Sequence, residues 1–142
     1  METAISSDKF DEIIAFDIEP NLGLDTPVFL HDYPVETCPL AAPIENQPLL
    51  AQRFDLYIGG LELCNGFTEL TDPVEQRKRF SKELLNRENT GQPVYPMPEK
   101  FLAALADMPE AAGNALGIDR LVMLFADTDK IDDVVAFTPE EL

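Results

Sequence analysis

The sequence predicts an α+β fold in which an antiparallel sheet is flanked by helices. Short runs of alternating apolar and polar residues are mixed with helical segments, and no β-α-β rhythm indicates a parallel sheet. The chain has 142 residues, of which 45% are hydrophobic, with nine Phe and three Tyr. That is enough for one domain with its own core. Residues 1–142 are therefore predicted to form a single domain.

The N-terminal third is predicted to contain a helix, a strand and a loop. Ser7 and Asp8, followed by spaced apolar residues, indicate a capped amphipathic helix that ends near Pro20. A strand is predicted over 26–33. Residues 34–50 contain four prolines and are predicted to be an irregular excursion. A loop of that length is usually functional or mobile.

The rest of the chain begins with alternating apolar and polar residues over 53–64. Gly59 and Gly60 interrupt this pattern and indicate a β-bulge or a close approach by another backbone or a ligand. Asp72 and Pro73 indicate a helix start, because Asp caps free N–H groups and Pro suits the first helical position. The remaining predicted elements are the end of this helix near Arg87, a helix over 98–105, a strand around 114–116, a helix over 118–125 and a short element over 131–137.

Composition argues against several classes of protein. The formal net charge of −17, from 27 acidic and 10 basic residues, opposes general binding to phosphate backbones, which needs a basic surface. Cys38 and Cys64 lack the spacing of a disulfide framework or zinc site, so free thiols are expected. His31, the only histidine, is expected to be an ordinary strand residue. The sequence has neither a bilayer-spanning apolar run nor signal-peptide features, which predicts a soluble, cytoplasmic protein with no membrane partner.

Glu62 and Glu69 are candidate metal ligands. Because they are seven residues apart, a regular strand would place them on opposite faces. Asn65 and Gly66 lie between them and tolerate positive φ, so a bend there would turn both carboxylates toward one pocket. Hard oxygen ligands of this kind suit Mg²⁺, which also takes waters and substrate phosphates. From spacing alone, two solvent-facing glutamates in an acidic chain are the simpler interpretation.

Arg120 lies near the start of an apolar helix, three residues after Gly117. A glycine allows a phosphate or base to approach the backbone, the helix start provides free N–H groups, and arginine adds a planar cation. These features favour nucleotide binding; the alternative is an exposed ion pair between Asp119 and Arg120. The apolar residues of this helix that are predicted to be core are Leu121, Val122, Leu124 and Phe125.

Longer segments around these residues resemble the lysine branch of the class II aminoacyl-tRNA synthetases, which includes the lysyl-tRNA synthetases and the elongation factor P beta-lysine ligases. The segment FDLYIGGLELCNGFTELTD over 54–72 closely matches the lysine-branch pattern. The segment ALGIDRLVML over 115–124 resembles motif 3 of class II synthetases. The resemblance extends from about Asp8 onward. It implies the C-terminal half of the catalytic domain, and hence a partial class II synthetase fold.

The resemblance also implies sites for ATP, Mg²⁺ and an amino acid. The implied ATP site consists of Glu62, Leu63, Gly117 and Arg120, with Arg120 and Glu62 as catalytic residues. The implied amino-acid pocket consists of Asn65, Phe67, Glu69 and Ala115. Glu62 and Glu69 are the implied metal ligands, and Glu69 serves either the metal or the amino-acid substrate. A carboxylate suits a cationic substrate because it forms charge-assisted hydrogen bonds with an ammonium group.

Features of both lysine-branch families occur in this sequence. The loop around Glu36 is similar to that of the lysyl-tRNA synthetases. Ala115 is similar instead to the elongation factor P ligases, because the lysyl-tRNA synthetases have glycine there. One methyl group in a tight pocket discriminates ligands by about 1–3 kcal/mol. Ala115 is therefore a candidate selectivity residue, with an ordinary small strand residue as the alternative.

Motifs 1 and 2, which precede this region in class II synthetases, do not appear in the sequence. Their absence predicts an exposed sheet edge and an uncovered apolar face. A missing N-terminal catalytic half, or self-association as a homo-oligomer, is expected to cover them. The expected function is ATP-dependent activation of lysine or beta-lysine as an adenylate for transfer to elongation factor P or tRNA, with this chain supplying part of the site. The alternative is an inactive nucleotide- or amino-acid-binding or dimerisation module.

Overall fold

The computed structural model describes residues 9–138, so the predicted helix cap at Ser7 and Asp8 lies outside the described residues. Helix α1 (Lys9–Ile13) continues as a π-helix over Ile14–Ile18 and a 3-10 helix over Glu19–Asn21. The helical segment ends at Asn21, close to the predicted end near Pro20, but only its first five residues are α-helical. Near the other end, the predicted short element is a 3-10 helix that covers only Ile131–Asp133.

The strands form a four-stranded sheet and a separate two-stranded sheet. They are β1 (Val28–His31), β2 (Pro43–Ile44), β3 (Gln47–Ala51), β4 (Arg53–Ile58), β5 (Leu61–Thr68) and β6 (Ala112–Leu116). The larger sheet has the order β1-β4-β5-β6, and β2 pairs with β3. Strand β1 is antiparallel to β4, with Val28 opposite Tyr57, and β2 is antiparallel to β3. The remaining helices are α2 (Pro73–Asn89), α3 (Glu99–Leu105) and α4 (Ile118–Ala126). The predicted α+β class is confirmed.

Gly59 and Gly60 form the turn of a hairpin between β4 and β5. Their φ angles are +61° and +76°, and two successive positive φ values match the twist of antiparallel strands joined by a two-residue loop. The expectation of a β-bulge is therefore wrong, and the alternative of a close approach by a backbone or a ligand stays a prediction.

Strand β5 runs without interruption through Asn65 and Gly66, and neither residue has a positive φ. The predicted bend between Glu62 and Glu69 is therefore wrong. Tolerance of positive φ permits a bend, but pairing within the sheet keeps this segment extended. Gly66 is needed for a different reason, because a Cβ atom there would lie 2.6 Å from a ring carbon of Phe54.

The segment over 34–50, predicted to be irregular, is partly ordered. It contains a 3-10 helix over Val35–Thr37 and the β2–β3 hairpin. Pro48 lies within β3 and fits there because both strands of a two-stranded sheet are edge strands, where a missing N–H group is tolerated. The prolines therefore did not exclude strand structure, and this part of the prediction is wrong.

The chain forms two compact units. Among the described residues, unit 1 comprises 9–31, 54–66 and 114–138, and unit 2 comprises 32–53 and 67–113. Their buried hydrophobic side chains divide as follows: unit 1 contains Tyr57, Leu63, Cys64 and Met123, and unit 2 contains Tyr33, Cys38, Ala41, Ala51, Leu70, Leu102 and Leu105. The buried cysteines are both free, as predicted.

In unit 2, helix α2 starts where the sequence predicts. Asp72 Oδ1 accepts hydrogen bonds from the backbone N–H groups of Val74 at 2.8 Å and Glu75 at 3.3 Å. Pro73 occupies the first turn, and the helix ends with Thr90 as its C-cap. Local capping chemistry is sufficient to define both ends of this helix.

Two side chains of α2 connect the helix to the segment over 38–41. Arg79 Nη1 donates to the carbonyl oxygen of Ala41 at 2.9 Å and to that of Cys38 at 3.2 Å. Gln76 is 1% exposed, and its Nε2 donates to the carbonyl oxygen of Pro39 at 3.1 Å. These bonds satisfy backbone acceptors that have no place in a regular sheet or helix.

In unit 1, the apolar helix α4 is much less buried than predicted. Met123 is its buried residue, whereas Val122 is 41% exposed and Phe125 is 85% exposed. The prediction that both are core residues is wrong, because the periodic pattern does not reveal whether a covering surface is present. Strand β6 is a terminal strand of the sheet, and all five of its residues are exposed. The expected open sheet edge and uncovered apolar surface are therefore confirmed for β6 and α4.

Two further expectations concern the role of His31 and the occurrence of membrane-spanning helices. His31 is an exposed residue at the end of β1, as expected for an ordinary strand histidine. Across residues 9–138, every helix is too short or too polar to cross a bilayer.

Candidate functional site

The centre of the candidate site in unit 1 is a contact between β5 and α4. Arg120 Nη1 donates to the backbone carbonyl oxygen of Glu62 at 2.6 Å and lies 3.9 Å from Glu62 Oε2. The side chains of Arg120 and Glu62 are 50% and 37% exposed. The guanidinium group has five N–H donors, so this contact leaves several of them facing solvent. The alternative expectation was an exposed ion pair between Asp119 and Arg120. Among residues 9–138, Arg120 instead pairs with Glu62.

A backbone contact holds the start of α4 beside the same strand. The N–H group of Gly117 donates to the carbonyl oxygen of Leu63 at 2.8 Å, and Gly117 is the N-cap of α4 with no side-chain cap. The first N–H groups of a helix have no partners within it, so they remain available here. A Cβ atom at Gly117 would lie 3.4 Å from Arg120 Cδ, an ordinary contact distance, so the fold itself does not require glycine at this position.

Asn65 lies further along β5 and is half-buried. Its Nδ2 donates to Asp55 Oδ1 at 2.5 Å. Asp55 is only 2% exposed. Asp55 was not identified from the sequence as a site residue, because its alternation with Phe54 and Leu56 does not determine which face of the strand is covered. In the structure, Asp55 is buried and those two neighbours are half-buried.

Ala115 also belongs to unit 1, in β6, the strand that neighbours β5 in the sheet order. Its side chain is exposed, like the rest of that strand. Unit 1 therefore contains Glu62, Leu63, Asn65, Ala115, Gly117 and Arg120, and hydrogen bonds directly join Glu62 to Arg120 and Leu63 to Gly117.

The other two predicted site residues, Phe67 and Glu69, belong to unit 2. Phe67 borders a cavity of about 120 Å³ together with Cys38, Leu40 and Arg53. The Arg53 guanidinium stacks 4.3 Å from the centre of the Tyr33 ring, a favourable cation–π geometry.

Glu69 is half-buried and directly follows β5. Its backbone N–H donates to the carbonyl oxygen of Ala111 at 2.9 Å, and it forms an isolated antiparallel bridge with Ala41. A Cβ atom at Gly113 would lie 3.1 Å from Glu69 Oε1, so the absence of a side chain at Gly113 gives this carboxylate its space. Across residues 9–138, no group of three or more His, Cys, Asp or Glu side chains has the arrangement of a metal site.

The electrostatic character of the unit 1 site comes from opposite charges in close proximity. A carboxylate, an arginine and free helical N–H groups lie around the β5–α4 contact. The guanidinium and N–H groups can bind anionic oxygens, and the carboxylate can bind a cation. This combination suits a ligand in which a negatively charged group carries its own metal ion.

Comparisons with known proteins show which family the chain belongs to. A family model described as tRNA synthetases class II (D, K and N) matches residues 1–141. The elongation factor P-(R)-beta-lysine ligase of Proteus mirabilis is 46% identical over 121 residues, which are 84% of this chain and 37% of that protein. The corresponding ligase of Pectobacterium atrosepticum is 43% identical over 129 residues, covering 90% of this chain and 40% of that protein.

A relative named as a tRNA ligase is similar to this chain to about the same degree. The lysine-tRNA ligase of Anaeromyxobacter sp. is 43% identical over 127 residues, covering 87% of this chain and 25% of that protein. The chain spans 40% or less of the length of each of these relatives. The family match over nearly all of its residues, together with these identities, shows that the chain belongs to the class II tRNA synthetases (D, K and N).

Proposed function

We propose that this chain supplies part of the active site of an ATP-dependent ligase that activates lysine or beta-lysine as an adenylate. The activated amino acid is then transferred to elongation factor P or to a tRNA. The observation that carries the proposal is the contact between Arg120 and Glu62. It holds a half-exposed guanidinium beside a carboxylate at the start of α4.

The proposed nucleotide site consists of Glu62, Leu63, Gly117 and Arg120. Arg120 binds the triphosphate with the N–H groups that its contact with Glu62 leaves available. The start of α4 adds backbone N–H groups and the positive end of the helix dipole. The absence of a side chain at Gly117, which the fold does not require, allows the nucleotide to approach the backbone.

Glu62 is the proposed Mg²⁺ ligand in unit 1, and Glu69 is the proposed ligand or substrate contact in unit 2. Their hard oxygen atoms fit Mg²⁺, which is commonly held by one or two protein carboxylates, waters and substrate phosphates. When bound, Mg²⁺ neutralises charge that develops on the phosphates. The carboxylates hold and orient the ion, and Arg120 supplies the fixed positive charge of the protein.

The amino acid is proposed to bind through Asn65, Phe67, Glu69 and Ala115. A lysine or beta-lysine substrate carries ammonium groups, which suit the amide oxygen of Asn65 and the carboxylate of Glu69. Ala115 limits the space beside the substrate and is the proposed selectivity residue. In adenylation, a carboxylate oxygen of the amino acid attacks the α-phosphorus of ATP and pyrophosphate leaves. Catalysis rests on alignment and charge stabilisation, and no protein nucleophile is needed.

An N-terminal catalytic half is proposed to complete the site. The exposed residues of β6 and the exposed apolar side chains of α4 support this proposal, because large uncovered apolar surfaces mark contacts with other protein. Self-association through the same surface is the competing arrangement. A module that binds nucleotide or amino acid without adenylation is the second candidate function, because it needs only the Arg120–Glu62 contact and the free N–H groups at the start of α4.

The test is ATP–pyrophosphate exchange by the chain co-expressed with the N-terminal half of the Proteus mirabilis relative. Lysine and beta-lysine are compared with ornithine, which has the same groups on a shorter side chain. The proposal predicts exchange that depends on lysine or beta-lysine and on Mg²⁺. A stable complex of the two halves that shows no exchange with either substrate would exclude the ligase function. Mg·ATP binding without exchange would support the second candidate. Acceptor choice is then read from transfer of labelled substrate to elongation factor P or to tRNA.

A further inference from the structure

We propose that an exposed stripe along helix α2 is the docking surface for a protein acceptor that presents carboxylates around an apolar patch. The α2 stripe consists of Val74, Lys78, Ser81, Lys82 and Leu85. This inference rests on the proposed function, because the acceptor is the partner that receives the activated amino acid. The stripe is separate from the residues proposed to bind nucleotide, metal and amino acid.

The first support is the distribution of charge along the chain. Five of its ten Lys and Arg residues lie in α2. Because the helix has only three acidic residues, its formal charge is +2, whereas that of the whole chain is −17. An acidic partner is therefore repelled by the chain as a whole but attracted at this helix. Such a field steers and orients a partner as it approaches.

The second support is that the stripe occupies one face of the helix. Its members are spaced i, i+4, i+7, i+8 and i+11, which places them on the same side. All five are exposed and none is acidic. The side chains of Lys78 and Lys82 are 79% and 74% exposed, and Val74 and Leu85 are 77% and 58% exposed. At a rise of about 1.5 Å per residue, the stripe is about 16 Å long.

A different side of α2 packs within unit 2. Gln76 is 1% exposed, and its Nε2 donates to the carbonyl oxygen of Pro39 at 3.1 Å. The ring centre of Phe80 lies 5.9 Å from that of Phe101 in α3. These contacts hold the helix without the stripe, so the exposed residues can be changed without removing them.

The two lysines of the stripe remain accessible although each has a neighbouring carboxylate. Lys78 Nζ lies 3.3 Å from Glu75 Oε2, and Lys82 Nζ lies 2.7 Å from Glu36 Oε1. Exposed ion pairs of this kind contribute little to stability. Each ammonium group has three N–H donors, so donors are left for the carboxylates of a partner.

The composition of the stripe favours a protein that binds transiently. Nucleic acid is held mainly by cations at its phosphates, which gives no role to the exposed Val74 and Leu85. A permanent protein interface has few lysines in its core, whereas this stripe has two between its apolar ends. Apolar and basic groups together suit an acidic protein that binds and leaves in each catalytic cycle, as an acceptor does.

The stripe begins close to a proposed substrate contact. Val74 is five residues after Glu69, and both belong to unit 2. Because an extended chain spans at most about 3.6 Å per residue, the two residues are within about 18 Å of each other. A protein docked along α2 can therefore bring its acceptor group to the activated amino acid.

The test compares two reactions of the co-expressed halves: ATP–pyrophosphate exchange, and transfer of the amino acid to elongation factor P of Proteus mirabilis. In the double variant Lys78→Glu/Lys82→Glu, two attractive charges become repulsive. We expect KM for elongation factor P to rise about 10-fold, with exchange unchanged. In the unmodified protein this KM should rise with salt, and in the variant it should rise less steeply.

Lys100→Glu/Lys130→Glu is the matched control, because it makes the same change in net charge at two exposed lysines outside the stripe. It should leave both reactions unchanged. If the reversed charges of the stripe variant lower its stability in thermal unfolding, Lys78→Gln/Lys82→Gln replaces it, and a smaller rise in the same KM is expected.

Leu85→Ser distinguishes a protein partner from a nucleic acid. Loss of its apolar contact should raise KM for elongation factor P about 5-fold, whereas the KM for tRNA should not change. A lysine variant that raises only the KM for tRNA would overturn the inference, because the stripe would then be a nucleic-acid surface.

The inference would also fail if KM for elongation factor P were unchanged in both lysine variants of the stripe, or if it rose equally in the control. Absence of exchange in the unmodified halves would instead overturn the proposed function. Calorimetric titration of elongation factor P into the co-expressed halves tests the stripe in that case too, because it needs no turnover. Exchange without any binding of elongation factor P would overturn the inference and leave the proposed activation step intact.

Discussion

Arg120 donates to the backbone carbonyl oxygen of Glu62 at 2.6 Å while lying 3.9 Å from the carboxylate of the same residue. The main chain of β5 therefore positions the arginine, and the Glu62 side chain is not required for that bond. This separation allows the role of the carboxylate in metal binding to be tested without removing the contact that holds Arg120.

Glu62→Gln should weaken the response to Mg²⁺. The variant keeps the backbone acceptor of Arg120 but removes the charge of the carboxylate. We expect the Mg²⁺ concentration for half-maximal pyrophosphate exchange to rise about 10-fold or more, as is typical when metal-site residues are changed. Glu110→Gln, an exposed carboxylate in unit 2, is the control for charge alone. An unchanged Mg²⁺ requirement in Glu62→Gln would exclude Glu62 as a ligand.

Ala115→Gly should change the preference between the two amino acids. Removal of one methyl group beside the substrate changes discrimination by about 1–3 kcal/mol. We expect the ratio of kcat/KM for lysine to that for beta-lysine to increase about 10-fold, in the direction of the lysyl-tRNA synthetases. Ala112→Gly, on the same exposed strand, is the control, because it makes the same change in backbone freedom. If both variants have the same ratio as the unmodified protein, Ala115 is only a small strand residue.

The ion pair on α2 should make stability depend on pH. Arg79 Nε donates to Glu75 Oε1 at 3.1 Å, and this hydrogen bond is the main cause that lowers the pKa of Glu75 below 4.5. A carboxyl with a lowered pKa in the folded state stabilises the fold above the unfolded pKa. That contribution is lost as the pH falls through the folded pKa.

Glu75→Gln should therefore unfold at a lower temperature than the unmodified chain at neutral pH, and the difference should disappear in acid below the folded pKa of Glu75. The measurement is thermal unfolding followed by circular dichroism across this pH range. Glu88→Gln on the same helix is the control, because its side chain has no ion pair among the described residues. A difference that persists unchanged in acid would show that the effect does not come from the Glu75 charge.

The sequence was sufficient where structure follows from neighbouring residues. Asp72 and Pro73 defined the start of α2, because capping depends on atoms two or three positions away. The resemblance also identified Glu62, Leu63, Gly117 and Arg120, which the structure joins through two contacts. Their functional roles remain proposals.

The sequence was insufficient where structure depends on distant segments. Asp55 alternates with Phe54 and Leu56 along β4, and its side of the strand is the buried one; alternation alone does not determine which face of a strand is covered. The pattern of α4 likewise predicted Phe125 in a core, although it is 85% exposed. The turn at Gly59 and Gly60 could be recognised only once it was known that β4 and β5 pair with each other.

The most direct test of the proposed nucleotide site is calorimetric titration of Mg·ATP into the co-expressed halves that carry Arg120→Ala. Arg77→Ala is the control, because Arg77 is an exposed arginine paired with Glu99 and such surface pairs contribute little. The proposal predicts that Arg120→Ala weakens ATP binding about 100-fold, in line with the loss of a charged donor from an active site, whereas Arg77→Ala binds normally. Equal ATP affinity in both variants and the unmodified protein would contradict the assignment of the Glu62–Arg120 contact as the nucleotide site.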